Sequence, residues 1–157
     1  MTGIRIGKGF DVMALVIDAA ILAISASALG AMETLNTQTL EYCKTREQFG
    51  QPIGKFQVLQ HRMVDMYTEY ECSVSMTYLA TLRLDADERT RKQAVSAAKV
   101  RVAQAAHHVG QEAIQIHGGN GMTDEYAIGH YFKRLTIFDS EFGNIDHHMK
   151  RHIALAS

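Results

Sequence analysis

The sequence predicts an all-α protein, an antiparallel four-helix bundle with a short extra helix at its C-terminal end. Three observations carry this. Pro52 is the one proline in 157 residues, so long stretches lack the residue that breaks helices. Apolar side chains recur at three- and four-residue spacing along three stretches of about 30 residues. Short polar or glycine-bearing turns join those stretches, and such connections set neighbouring helices antiparallel. With 46% apolar and 21% charged residues, the chain can bury the core of one domain.

Residues 1–9, "MTGIRIGKG", carry three glycines and read as extended. Residues 1–10 therefore form a linker, and the bundle occupies 11–157. The first helix is expected from about Asp11, as N-cap, to about Arg46. Its run at 12–32, "VMALVIDAAILAISASALGAM", is apolar apart from Asp18 and two serines, and Arg5 and Lys8 precede it. That resembles a signal peptide or a membrane span. Against this, Asp18 inside hydrocarbon would cost about 2.5–3.5 kcal/mol. The pattern also continues unbroken into amphipathic "ETLNTQTLEYCKTR". A helix buried in a bundle or at a subunit contact accounts for both halves, and no membrane is expected.

"FGQPIGK" (49–55) is a turn, two glycines and Pro52 ending one helix and restarting another. The second helix is expected from about Ile53 to about Leu84, with Phe56, Leu59, Met63, Met66 and Tyr70 facing inward. "DADERT" (85–90) is a polar turn. The third helix is expected from about Glu88 to His117. Its stripe of Val95, Ala98, Val102, Ala105, Val109 and Ile116 is rich in small residues and admits a close neighbour. "GGNGMTDE" (118–125) is a loop, with Thr123 or Asp124 capping a fourth helix to about Arg134. A last helix is expected over about Ile145 to Ala154. No strand is expected.

Sixteen Lys and Arg against seventeen Asp and Glu leave a net charge of −1, no electrostatic footprint for nucleic acid. Cys43 and Cys72 fall on expected helices without metal-like spacing, as two buried thiols in a reducing cytoplasm would. His107 and His108 are adjacent, as are His147 and His148, with His152 four residues after His148. An i, i+4 pair can chelate zinc, but there is no H-E-x-x-H pattern and no third ligand, so no metal is expected.

Two helix ends stand out. "REQFG" (46–50) puts a cation and an aromatic where the first helix stops. Arg46 can complement the helix dipole while Phe49 plugs the core, or Arg46 can meet a pyrophosphate while Phe49 packs on a ring. Gln57, one turn into the second helix, can add an amide contact. "QIHGGNG" (115–121) ends the third helix with three glycines where an ordinary cap needs one. Backbone held close to a bulky ligand or to a second subunit explains the surplus. The loop follows no strand, which excludes a Rossmann phosphate site.

"YCKTREQFGQPIGKFQVLQHRMVDMY" and "QEAIQIHGGNGMTDEYAIGHYFKR" together closely resemble the C-terminal helical domain of acyl-CoA dehydrogenases. The lead-in "GKGFDVM" resembles the linker from the β-domain of that family. The resemblance covers nearly the whole chain, and R-x-x-FG-x-x-I-x-x-FQ with QI-x-GG-x-G is its specific part. It implies a bundle preceded in the family by an N-terminal helical domain and a middle β-domain. It implies FAD, an acyl-CoA thioester substrate and an electron-transfer flavoprotein or other acceptor. It implies a homo-dimer or tetramer, or a hetero-oligomer with a second acyl-CoA dehydrogenase subunit. By the same resemblance Arg46, Gln48 and Phe49, with Phe56 and Gln57 following, contact the FAD of a neighbouring subunit. Gln115, Ile116, His117, Gly118 and Gly119 lie along the adenosine side of that FAD. Without the other two domains, the chain is expected not to oxidise acyl-CoA alone.

The departures fall on the catalytic base. The family removes an α-proton with a carboxylate while a hydride passes to the flavin. Its glutamate precedes a glycine ahead of the last helix, and in "FDSEFGNIDHH" Phe142 holds that position, with Glu141 one residue earlier. The alternative position near the first helix is matched by Ala20, and the arginine that follows it by Ile21, while Asp18 is retained as a substrate-side residue. Asn144 and His147 loosely match a flavin contact. Glu141 acting from a shifted loop, substitution by Asp18, Asp139, Asp146 or a histidine, and a partner subunit that carries the base all remain open.

Overall fold

The computed structural model describes residues 9–156; of the linker expected at residues 1–10, residues 1–8 lie outside them, and Gly9 and Phe10 belong to the first helix instead. Five helices run in the expected order: α1 (Gly9–Thr45), α2 (Gln57–Leu82), α3 (Glu88–His117), α4 (Ile128–Ser140) and α5 (Ile145–Ala156). Helix α3 is the axis, packed by α1, α2, α4 and α5. Its composition permits this. Val95, Ala98, Val102, Ala105, Val109 and Ile116, the expected stripe, are all buried, as are Ala103, Ala106 and Ala113. A Cβ at Gly110 would stand 3.1 Å from the Phe132 ring, so glycine lets α4 approach. From α2, Met66 is buried in the same core, with Phe56, Leu59, Met63 and Tyr70 packed on it.

Several boundaries differ from expectation. Helix α1 begins at Gly9, so Asp11 sits inside its first turn. Between α1 and α2 the chain makes a two-residue hairpin, β1 (Glu47–Gln48) against β2 (Gln51–Pro52), where no strand was expected. A 3-10 turn, Ile53–Lys55, then delays α2 to Gln57. After α3, Gly118–Met122 form a second 3-10 turn, and Thr123 turns its hydroxyl back to the Asn120 carbonyl (3.0 Å). Thr123 is thereby lost as a cap. Helix α4 starts at Ile128 after Ala127, without a side-chain cap, and runs on to Ser140. Asp87 caps α3 by accepting from the Thr90 amide.

Helix α1 is long and apolar enough to cross a membrane by length and composition, yet its middle is tied into the bundle. Asp18 is 0% exposed and accepts from Arg91 Nε of α3 (3.1 Å) and Arg151 of α5 (2.7 Å). From there on, Ile21, Leu22, Ser25, Ala28, Ala31, Met32 and Leu35 are buried. Ahead of it, Phe10, Val12, Met13, Val16 and Ile17 are exposed, so the apolar run is only partly covered within this chain. Cys43 is buried, and burial pushes its thiol pKa up. Cys72 on α2 is exposed, against the expectation of two buried thiols.

Candidate functional site

The end of α1 and the end of α3 meet. The hairpin after Arg46 turns through Phe49 (φ 55°) and Gly50 (φ 78°), both at positive φ as a tight two-residue hairpin turn requires. A bond from the Ile53 amide to the Arg46 carbonyl (2.8 Å) closes its base. Phe49 is left 91% exposed, its ring edge-on to Phe56 at 6.1 Å. Arg46 is exposed, and among the described residues its guanidinium faces no carboxylate partner.

On the facing side, Gly118 takes φ 58° and ψ −136°, a conformation closed to residues with a Cβ. Gly121 is needed for another reason: its Cβ would lie 3.1 Å from His117 Cβ and 3.2 Å from the Ile114 carbonyl oxygen. Gly119 has neither constraint, since a Cβ there would enter open space. His117 is buried and stacks on Tyr42 with ring centroids 4.3 Å apart. Its Nδ1–H donates to the Ala113 carbonyl (2.8 Å), which leaves Nε2 as an acceptor. Burial lowers its pKa, so the ring is neutral near pH 7.

These two walls enclose one groove of about 330 Å³, lined by Tyr42, Arg46, Gln48, Ile53, Ile116, His117, Gly118, Gly119 and Asn120. Arg46, Gln48, Ile116, His117, Gly118 and Gly119 were expected to share a ligand, and the fold brings them together. Phe49, on the hairpin turn, and Phe56, packed against the core, are not part of its lining. Gln57 and Gln115 are exposed outside its lining, and so is Asn144, whose side chain caps α5 by accepting from the His147 amide (3.0 Å). Tyr42 and Asn120 escaped sequence reasoning. The available signal was Tyr42 lying four residues before Arg46, on the same helix face.

The base region lies elsewhere. Lys99, 0% exposed, donates to the Phe138 (2.5 Å) and Asp139 (3.3 Å) carbonyls at the end of α4 and sits 3.8 Å over the Phe138 ring. Burial pushes its pKa down to about 8. Beyond it Phe142 (φ 55°) and Gly143 (φ 103°) turn the chain, and His148 Nε2–H donates to the Phe142 carbonyl (3.1 Å). Glu141 accepts from Arg134 (2.9 Å), and its other oxygen is buried without a partner among the described residues. Phe142 projects outward in the position expected of the glutamate. Asp18, expected beside substrate, has both oxygens held by arginines and no exposed surface, which leaves it a structural task in this chain. Ala20 is half-buried and Ile21 buried. Asp139 faces His107 (3.7 Å). Among the described residues no three His, Cys, Asp or Glu side chains group as metal ligands. His148 Nδ1 accepts from Ser96, and His152 Nδ1 pairs with the Gln93 carbonyl.

A larger groove of about 550 Å³ lies between α1 and α2, lined mainly by Leu40, Met63, Val64, Tyr67 and Tyr70. Its polar rim includes Glu33 and Glu71, the wrong charge for a phosphate. The smaller groove is lined by Arg46, which has no carboxylate partner among the described residues.

Residues 7–155 match the family described as "Acyl-CoA dehydrogenase, C-terminal domain". This chain belongs to the acyl-CoA dehydrogenase family. The acyl-CoA dehydrogenase fold recurs in the solved butyryl-CoA dehydrogenase from Megasphaera elsdenii (TM-score 0.89, 27% identity), over 96% of this chain and 39% of that one. The structure "PigA with FAD and proline" matches at TM-score 0.81 and 28% identity, over 90% of this chain and 37% of that one. Mitochondrial isovaleryl-CoA dehydrogenase of Oryza sativa subsp. japonica is 35% identical over 133 residues, 85% of this chain and 32% of that protein. The chain thus spans about a third of the length of the curated relatives it matches.

Proposed function

We propose that this domain holds the nucleotide half of FAD in the groove between Arg46 and the Gly118–Gly119 edge. It does so within an oligomeric enzyme that dehydrogenates acyl-CoA thioesters at the α,β bond. One observation carries the reading: an unpaired guanidinium and a glycine edge, more than seventy residues apart in sequence, line one groove. The residues fit the group. Arg46 offers a planar fork to a pyrophosphate, Gly118 and Gly119 leave room where a side chain would intrude, and His117 Nε2 can accept from a donor. Bound FAD supplies the two-electron acceptor for the dehydrogenation. The chain's own residues bind and orient it and do no redox chemistry alone, so the isolated domain leaves an acyl-CoA substrate unoxidised.

The experiment is a titration with FAD or ADP, followed by calorimetry, for wild type and Arg46→Ala. Loss of a charge-assisted contact removes roughly 1.5–3 kcal/mol, which is about 10- to 150-fold in Kd. An unchanged Kd refutes the assignment of Arg46.

The oligomeric part of the reading is supported by the α1–α2 groove. Its lining is mainly apolar, from Leu40, Met63, Val64, Tyr67 and Tyr70, a surface of the kind that a second copy covers. A second reading shares the fold and differs in the chemistry. Phe142 and Ala20 stand where the family keeps its carboxylate, and Glu141 is engaged by Arg134. On that reading the chain is a non-catalytic assembly subunit, and a partner subunit supplies the base.

A further inference from the structure

The two walls of the groove belong to elements 75 residues apart, and one side chain ties them together. Tyr42 Oη accepts from Asn120 Nδ2 (3.0 Å) and lies 3.4 Å from the His117 carbonyl, to which its hydrogen points. That carbonyl ends α3 and opens the 3-10 turn Gly118–Met122, of which His117 is the N-cap. The Tyr42 ring stacks on His117, with Tyr126 edge-on to both. The rest of the glycine loop is restrained unevenly. Gly121 is seated against Ile114 and His117, whereas Gly118 and Gly119 border open space. Asn120 is thus the side chain that fastens the free edge of the loop to α1. Tyr42 lies one helical turn before Arg46 on the same face, and its carbonyl accepts from the Arg46 amide (2.8 Å), so the latch and the start of the Arg46 side chain share one turn of backbone.

We propose that Tyr42 and Asn120 form a latch that fixes the separation between Arg46 and the Gly118–Gly119 edge, and so set the groove's fit for a nucleotide diphosphate. Both are positioning residues: neither has to touch the phosphates. The link to a nucleotide rests on the reading of the groove given above, whereas the latch exists with or without a ligand.

Two measurements separate these claims. Tyr42→Phe keeps the ring stack and deletes the hydroxyl, and Asn120→Ala deletes the amide. In the ligand-free chain each variant raises amide hydrogen exchange at residues 118–122 by about two- to tenfold, the scale of one hydrogen bond. The double variant exchanges no faster than the singles, because both remove the same contact. Additive effects, or unchanged exchange, overturn the latch. With ADP as probe, each variant weakens binding about two- to tenfold, and the melting temperature of Tyr42→Phe stays close to that of wild type. A merely structural tyrosine would lower the melting temperature and leave ADP affinity alone, which also overturns the proposal. Wild type that ignores ADP while the exchange coupling holds sinks the nucleotide reading and supports the latch.

Discussion

Phe49 and Phe142 both hold left-handed backbone, and each is followed by a glycine at positive φ. For a bulky residue this conformation costs about 1–3 kcal/mol, and such strain gathers where function over-determines the backbone. Phe49 stands out from the hairpin that carries Gln48, and Phe142 is exposed at the position the family resemblance gives to a carboxylate. The second corner is held by His148, 1% exposed between Ser96 and the Phe142 carbonyl. Burial foremost pushes its pKa from 6.5 down to about 4, with His147, Arg151 and Lys99 adding to the shift. The unfolded chain therefore binds a proton that the folded chain refuses, and stability falls as pH drops from 6.5 toward 4. Burial of His117 acts in the same direction. Urea midpoints measured across that window should decline in wild type and decline less in His148→Gln. A flat wild-type profile contradicts the account.

Among the elements, α1 depends most on one residue. Asp18 joins it to α3 through Arg91 and to α5 through Arg151. Asp18→Asn leaves two largely buried guanidinium groups without a counter-charge, a loss of about 3–5 kcal/mol in a buried pair. Chemical denaturation should show it, while a loss within ±0.5 kcal/mol, the range of a neutral surface change, would relegate Asp18 to the surface class. The helices themselves were legible because period and turn chemistry agree along α1, α2 and α3. What the pattern could not reveal was short and local. The Glu47–Pro52 hairpin has strands of two residues, too brief for alternation to register. Thr123 looks like a cap until its hydroxyl turns back to Asn120, an outcome of the 3-10 turn before it. That Arg46, Gly118 and Gly119 share one groove was readable because a cation at a helix end and three glycines at another are more than ordinary caps need. Tyr42 and Asn120 were not, since their role is a contact with each other. Asp18 looked substrate-facing because neither arginine that claims it is near it in sequence.

For the whole molecule, the open matter is which chain holds the base. In the full-length assembled enzyme, Glu141→Gln should abolish acyl-CoA-dependent dye reduction if Glu141 acts from its shifted place. Retained turnover removes Glu141 as the base and leaves another carboxylate, a histidine or a partner subunit to supply it. The architecture bears on this. Helix α3 touches the nucleotide groove at His117 and the Phe142 corner through Ser96, and a rise of 1.5 Å per residue sets those points roughly 30 Å apart. On the proposed function, a cofactor phosphate at Arg46 and a thioester at Phe142 would therefore be served from distant poles of the same rod. One copy cannot furnish both poles to a single reaction centre unless the cofactor stretches along the entire rod. If the proposed function holds, each copy would lend its far pole to the centre of another, and dilution that parts the copies would dismantle every centre at once.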